Sequence, residues 1–524
     1  MSVSTSGSVL VVGAGPVGLT LALLLHQRGV DVTVIDRDAG PVEQSRAIWV
    51  HSRTLEIWDT IGMTALVAAE GRPVTGIQLR TSGALRAMLP YDGTGATAHP
   101  HGVMLEQSRT QTLLLSLLER GQARVQWNTT LEDLAQVGGM CRVTLSDVDG
   151  HRSTHDAAFV VGADGGSSTV RRLLGIELLG GTYDSSFFLA DIVARSALDP
   201  DRAQLNFHGR STVAVLPLPG EGRYRLVGNL LDQSDEHAEA GYGRAVEEAE
   251  VEHLVAANHL PVAIESIGWT TTYRSHYRVA STFRMGRALL VGDAGHLHSP
   301  AGGLGMNTGV ADAANLAWKL ADVLGGAQDE LLDTYDQERR SVAHQVIATS
   351  DRLFVLQTDP RRRFAFARRN VLPVVVSLLT CTRAGRSLPF RALSGTSVRY
   401  RVPGRQHRYG RLATGRLLPL TGIPAVDDDP ALHSGRHLLL IAGGADREQL
   451  ALVQALAGDR GWRVVRVQGP DARRLTRRRK GALIIWIRPD RYIGWIGSSA
   501  DDLETMLRSV IGSASPTRTS TNAR

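Results

Sequence analysis

The stretch SVLVVGAGPVGLTLALLLHQRGVDVTVID, residues 8–36, decides how this chain is read. Ser8–Val12 is short, apolar and mostly β-branched, and reads as a buried strand. Val17–Arg28 is leucine-rich and reads as a helix. Val30–Asp36 returns to β-branched alternation and reads as a second strand. Strand, helix and strand within about 30 residues make the βαβ module of a parallel sheet. Gly13, Gly15 and Gly18 punctuate the first turn, each with its own task. Gly13 permits the tight turn, Gly15 lets the backbone approach a pyrophosphate held at the helix N-terminus, and Gly18 allows close helix–strand packing. Asp36 closes the second strand, where a carboxylate meets a ribose hydroxyl. A bare glycine triplet also marks any sharp strand-to-helix turn. Its place between two strands, with the acid at the right distance, points to a bound dinucleotide.

Working outward, Ser52–Ile61 and Arg109–Arg120 read as helices, and Ala157–Gly162 as a strand ending in a glycine turn. From about Gly180 to Tyr277 the pattern changes. Ala203–Phe207, Thr212–Leu216 and Arg223–Leu230 are short strands between Pro/Gly turns, which predicts a mostly antiparallel layer inserted into the first unit. Ala288–Val291 is again a strand; Val310–Leu324 and Leu331–Phe354 are helical. Pro403–Gly415 has linker composition. Beyond it come a strand (His437–Ala442), a helix (Arg447–Ala457), a strand (Trp462–Val467), a hairpin (Ala482–Arg488 and Tyr492–Ile496 around Pro489 and Asp490) and a last helix (Asp501–Ile511). Ser513–Arg524 is Ser/Thr-rich and expected to be disordered.

Composition narrows the function classes. The 524 residues are 43% hydrophobic and 21% charged, enough to bury a large core. The net charge is +6, carried almost wholly by arginine, since Lys319 and Lys480 are the only lysines. Apart from Arg361–Arg363 and the run from Arg473 to Lys480, the basic residues are scattered, so nucleic acid is not an expected partner. A modest positive field does favour anionic cofactors. Cys141 and Cys381 have neither metal nor redox spacing nor the setting of a nucleophile. The apolar run Val9–Leu25 is broken by glycines and lacks a basic leader, so it is not a signal peptide. No stretch has the roughly 20 uninterrupted apolar residues of a membrane span, and the expected compartment is the cytoplasm.

Two later segments carry a resemblance. VGADGGSSTVR, residues 161–171, and GRALLVGDAGHLHSPAGGLGMNT, residues 286–308, follow the glycine fingerprint in order. Over residues 8–350 the chain resembles the group A flavoprotein monooxygenases, the para-hydroxybenzoate hydroxylase-like family, and within it the branch acting on aromatic polyketides and phenols in actinobacteria. Ile487–Trp495 resembles the thioredoxin-like tail of that branch, without its Cys-x-x-Cys pair. The resemblance implies an α/β chain: a Rossmann-type FAD-binding domain over 1–179, with a substrate-domain excursion near 76–100, and over 278–400; an inserted antiparallel β-sheet substrate domain over 180–277; and a thioredoxin-like domain over 401–512. The expected state is monomer or homodimer.

It also implies a site. FAD would be held by Gly13, Gly15, Pro16, Val17, Gly18, Asp36, Arg37, Arg46, Gln107, Asp164, Gly292, Asp293, Pro300, Gly303, Gly305, Met306 and Asn307. Asp293 would meet the ribityl chain, Arg46 the pyrophosphate, and the backbone from Gly302 to Asn307 the isoalloxazine ring. A glycine-rich loop before a helix offers free N–H groups and a positive dipole end to the negative edge of a reduced flavin. Asp164 and Arg171 belong to a segment associated with both FAD and NAD(P)H; the structural alternative is that Asp164 caps a turn and Arg171 pairs with it. His296 and His298 are expected to be structural, having no acidic or cysteine partner at ligand spacing. Gly295, in place of the usual alanine, is expected to loosen its turn, and Gln111 replaces a frequent glutamate. NADH or NADPH and O2 would serve to hydroxylate an aromatic or polyketide-like small molecule through a flavin C4a-hydroperoxide, in secondary metabolism or antibiotic modification. No protein acid or base is then needed beyond flavin positioning by Pro300, Gly302 and Gly303. Baeyer–Villiger or other FAD oxidoreductase chemistry, or a protein that binds FAD or an intermediate without turnover, are the alternatives. Alternation offers Phe187, Phe207, His208, Val215 and Tyr224 as substrate contacts, with core packing as the other reading.

Overall fold

The computed structural model describes residues 8–43, 47–121, 123–230, 243–359, 361–401, 407–476 and 481–512. Arg46, the start of the 403–415 segment and the terminal 513–524 segment lie outside the described residues.

The quoted stretch forms the strand Val9–Val12, the helix Pro16–His26 and the strand Val32–Ile35. Val9–Val12 is an inner strand of a six-stranded sheet. It pairs in parallel with Val32–Ile35 on one side and Phe159–Gly162 on the other. Ala288–Leu290 extends the sheet beyond Phe159–Gly162, also in parallel. Val9, Val11, Val160 and Leu289 have no exposed surface. A parallel sheet covered on both faces needs such unbroken apolar strands, which is why these segments show no alternation. Helix Gly305–Leu324 packs against Pro16–His26 on this sheet.

The second sheet has eight strands. Val262–Ala280 and Leu178–Ser196 are its long members, followed by Arg223–Asn229, Ser211–Pro217 and Arg202–His208. Gly76–Thr81 joins Arg202–His208 in parallel, and Ala84–Pro90 closes that edge. At the other edge His296–Leu297 pairs with Val262–Ala280. This short pairing joins the second sheet directly to the glycine-rich segment 302–307. The sheet is apolar on both faces. Val213, Val215 and Leu226 pack under the helix Glu248–Ala257, while Ala214, Leu216 and Val227 face a cavity.

A third sheet, in the order Arg463–Val467, Leu438–Ala442, Leu483–Ile487, Ile493–Gly497, is parallel in its first pair and antiparallel in the others. Its period-two pattern fills two cores: Leu438, Leu440, Ile485 and Ile487 on one face, Leu439, Ile441, Ile484 and Trp486 on the other. The hairpin end of this unit is tied to the main body by buried charge. Glu338 accepts from Arg488 Nη1 (2.7 Å) and Nη2 (2.9 Å), Lys319 Nζ (2.9 Å) and Asn315 Nδ2 (2.8 Å). Arg488 also donates to Asp490, whose backbone carbonyl accepts from Arg53 Nη2 at 2.7 Å. Burial opposes ionisation of Glu338, but Arg488 and Lys319 override it and hold its pKa at about 2. Burial lowers Lys319 to about 8.

Candidate cofactor and substrate site

Gly13 has φ +109°, and a Cβ there would lie 2.4 Å from the carbonyl oxygen of Ala163. At Gly18 a Cβ would lie 2.0 Å from the Gly13 carbonyl oxygen. Both glycines are required by backbone contacts within the protein. Gly15 differs: its φ is −68°, and a Cβ there would meet nothing within 4 Å. It caps the helix Pro16–His26 without any side-chain hydrogen bond, so the N–H groups of that terminus are left for another acceptor.

Two side chains brace the turn at Ala14, and a third bonds nearby chain. Asp36 Oδ2 accepts from the Ala14 N–H at 2.6 Å, and burial raises the pKa of this carboxylate. Gln111 donates its amide to the Ala14 carbonyl at 2.8 Å and accepts from the Val42 N–H at 3.1 Å. Ionised glutamate could only accept, so glutamine at this position has a physical reason. Gln107 Oε1 accepts from the Ala47 N–H at 3.3 Å.

Gly15 opens onto a cavity of about 880 Å³ that runs from this turn to the eight-stranded sheet. Pro16, Val17, Gln107, Asp293, Pro300, Gly302, Gly303, Gly305 and Met306 line it with Gly15. The carboxylate of Asp293 is exposed to it and makes no hydrogen bond among the described residues. Gly13, Gly18, Asp36, Arg37, Asp164, Gly292 and Asn307 lie outside the lining. Arg37 is exposed beside Asp36.

Asn307 is a buttress. Its Oδ1 accepts from the His51 N–H (2.8 Å) and Thr54 Oγ1 (2.7 Å), and its Nδ2 donates to the carbonyls of Trp49 (2.7 Å) and Gly303 (2.8 Å). Asp164 Oδ2 accepts from the N–H groups of Thr169 and Val170, capping a short helix. Arg171 donates to the carbonyls of Ala294 (2.9 Å) and Gly166 (2.8 Å), stapling the two motif turns together. Asp164 thus caps the turn, while Arg171 pairs with these carbonyls and not with Asp164.

Other expectations change. His296 does have an acidic partner: its Nε2 lies 2.8 Å from Asp312 Oδ2, on the facing helix. Asp312 also accepts from Arg339 Nε at 2.5 Å and from the Gly292 N–H at 3.0 Å. Burial opposes ionisation of Asp312, yet Arg339 and His296 keep its pKa low. Gly295 does not loosen the turn; a Cβ there would press on the Phe283 ring at 3.2 Å, so the glycine makes room for that ring. Among the alternation candidates Phe187 lines the cavity. Val215 and Tyr224 belong to the core under the opposite face, Phe207 packs with Leu79, Ala87 and Val376, and His208 meets the His259 ring at a tilt. With both faces covered, alternation separates two sets of residues without saying which set meets the cavity.

Motif reading missed the clamp on the glycine loop. Gly302 and Gly303 have φ +84° and +63°. His51, fully buried, places Nε2 2.9 Å from the Gly302 carbonyl and Nδ1 3.0 Å from the Tyr91 hydroxyl. Burial lowers the His51 pKa to about 4. The neutral ring therefore donates from Nε2 to Gly302 and accepts from Tyr91 at Nδ1. Trp49 packs against both rings and itself lines the cavity. The helix Gly305–Leu324 begins directly after the loop, again with no side-chain cap. His298 also lines the cavity; its Nε2 is buried without a partner among the described residues, and burial followed by the neighbouring His296 lowers its pKa.

Two uncapped helix termini face one cavity, one beside a glycine that opens onto empty space and the other after a clamped glycine loop. This arrangement fits a bound FAD, with room for a pyrophosphate at Gly15 and for the ring edge at 302–306. Residues 6–350 match the FAD-binding domain family, and the chain belongs to it. The chain is 35% identical over 449 residues to the 6-methylpretetramide 4-monooxygenase of Streptomyces rimosus, covering 82% of this chain and 76% of that one. It is 30% identical over 534 residues to the 12-dehydrotetracycline 5-monooxygenase/anhydrotetracycline 6-monooxygenase of the same species, covering 96% and 98%. The solved anhydrotetracycline hydroxylase from Streptomyces rimosus superposes with a TM-score of 0.75 at 28% identity, covering 97% of this chain and all of that one.

Proposed function

We propose that this enzyme uses NAD(P)H and O2 to hydroxylate a polycyclic aromatic, polyketide-like substrate, in the cytoplasm where reduced nicotinamide is available. The observation that carries this reading is the continuity of the cavity. It runs from the FAD-binding turn to a wall built by Phe187, Leu189, Leu205, Leu216, Val227 and Tyr273, with Phe354 and Leu393 closing it. Bound FAD supplies hydride acceptance and oxygen activation; the chain supplies position and dryness. An apolar wall of this size suits fused rings and excludes water that would waste the activated oxygen. The clamp of Tyr91, His51 and Gly302 fixes one edge of the ring site, and the dipole of Gly305–Leu324 favours negative charge there. Asp293 is free to accept from a sugar-alcohol chain. Gly15, Gln107, Asp293, Pro300, Gly302, Gly303 and Met306 are thus the residues we assign to FAD, with Gly13, Gly18, Asp36 and Asn307 holding them. The tail beyond residue 400, read as thioredoxin-like without its redox pair, has a packing role supported by the Glu338–Arg488 network.

The test is product mass spectrometry with NADPH and a panel of polycyclic phenols. One oxygen added at a ring carbon supports the proposal. Oxygen inserted between carbons, loss of two hydrogens, or no substrate-dependent NAD(P)H consumption refutes it.

A further inference from the structure

Helix Leu372–Thr380 and its flanks carry the densest exposed apolar surface among the described residues. Pro373 and Val376 face inward, and Val376 packs with Leu79, Ala87 and Phe207. Val371, Val374, Val375, Leu378 and Leu379 are 43–66% exposed. Their spacing of i, i+3, i+4, i+7 and i+8 makes one stripe on one helical face. Phe366, 64% exposed, and Leu388, 48% exposed, lie on the flanking helices. Monomer surfaces rarely leave such a contiguous patch bare without a partner.

The segment that carries this stripe is basic in sequence. Between Asp359 and Asp427 the sequence contains no Asp or Glu, and it contains 14 arginines. Arg363, Arg369, Arg386 and Arg391, which flank the helix in sequence, are exposed. Leu388, half exposed, also lines the cavity with Pro389 and Ala392.

We propose that this face rests on an anionic phospholipid surface, with the aliphatic stripe among the acyl-chain ends and the arginines on head-group phosphates. An apolar helical face with a basic rim is the pattern of interfacial association, in which buried apolar area and attraction to anionic lipid add. A second copy docking isologously would bring the two arginine rims together. A protein partner is less well matched, because valine and leucine are under-represented at protein hot spots. Among the described residues no helix is long and apolar enough to cross a membrane; the proposed contact is with the surface. A lipid-dissolved aromatic would then meet the cavity wall at Leu388; that consequence rests on the substrate reading above, whereas the docking does not.

The experiment is cosedimentation of the FAD-loaded full chain with phosphatidylcholine vesicles, with and without phosphatidylglycerol. Val374→Glu/Leu378→Glu and Arg363→Gln/Arg369→Gln are the variants, and FAD absorbance and unfolding temperature control for their folding. We expect salt-sensitive binding to the anionic vesicles, weakened about tenfold without phosphatidylglycerol and about tenfold in each variant, with FAD content unchanged. Absence of vesicle binding overturns the proposal, as does binding that the glutamate variant leaves intact. A vesicle-inert protein whose self-association the glutamate variant abolishes assigns the face to a second copy and also overturns it.

Discussion

Replacing Gly15 by alanine separates the fold of the glycine turn from its use. Gly15 sits at φ −68° and ψ 173°, which alanine adopts freely, and its Cβ would meet nothing within 4 Å. Losing glycine's freedom in the unfolded chain stabilises by about 0.4–1 kcal/mol, and alanine as an N-cap costs a comparable amount. The apoprotein should therefore change by less than about 1 kcal/mol. The same methyl group stands where a pyrophosphate would reach the backbone. Loss of one hydrogen bond to a charged group costs about 1.5–3 kcal/mol, a roughly 10- to 150-fold weaker Kd for FAD. The contrast is Gly18→Ala, whose Cβ would lie 2.0 Å from the fixed Gly13 carbonyl; it should destabilise the apoprotein itself. The assays are flavin-fluorescence titration of the apoproteins and their thermal unfolding. Wild-type FAD affinity in Gly15→Ala, or an apoprotein as damaged as that of Gly18→Ala, would refute the reasoning.

Asp293→Ala should leave apoprotein stability unchanged, because the carboxylate is exposed and makes no hydrogen bond among the described residues. It should weaken FAD by about 1–3 kcal/mol in the same titration, and unaltered affinity would remove Asp293 from the site. For His51, burial lowers the pKa from 6.5 to about 4. Between those values the unfolded chain takes up a proton that the folded chain refuses, so a stabilisation of about 3 kcal/mol present above pH 6.5 is lost as pH falls toward 4. Chemical denaturation across that window should show the slope in the wild type and a shallower one in His51→Gln; parallel curves would count against a neutral buried ring. Glu338→Gln removes the anion shared by Arg488 and Lys319 and should cost about 3–5 kcal/mol in urea unfolding. A loss below about 1 kcal/mol would show that the network does not anchor the tail.

What could be read from sequence here was local. Strand, glycine turn, helix, strand and Asp36 fit within residues 8–36, so the chemistry of the turn follows from spacing alone. The order of the 161–171 and 286–308 segments carried the family, and hence FAD. The hairpin around Pro489 and Asp490 was equally plain, since period-two alternation and turn residues are short-range signals. The clamp on Gly302 was not legible: His51 and Tyr91 are 40 residues apart, and the carbonyl they fix lies 251 residues beyond His51. Glu338 and Arg488, 150 residues apart, have no motif to announce them. His296 read as partnerless because Asp312 reaches it only across a helix packed over the turn. The face of the second sheet was also undetermined, because Ala214 and Val215 are both apolar and both covered, one by the cavity and one by a helix. Covalent spacing and periodicity determine which side chains can share a turn or a face. Which distant groups meet, and which face becomes the cavity, is decided when the sheets close over one another, because buried charges and backbone carbonyls must then find their partners wherever packing has placed them.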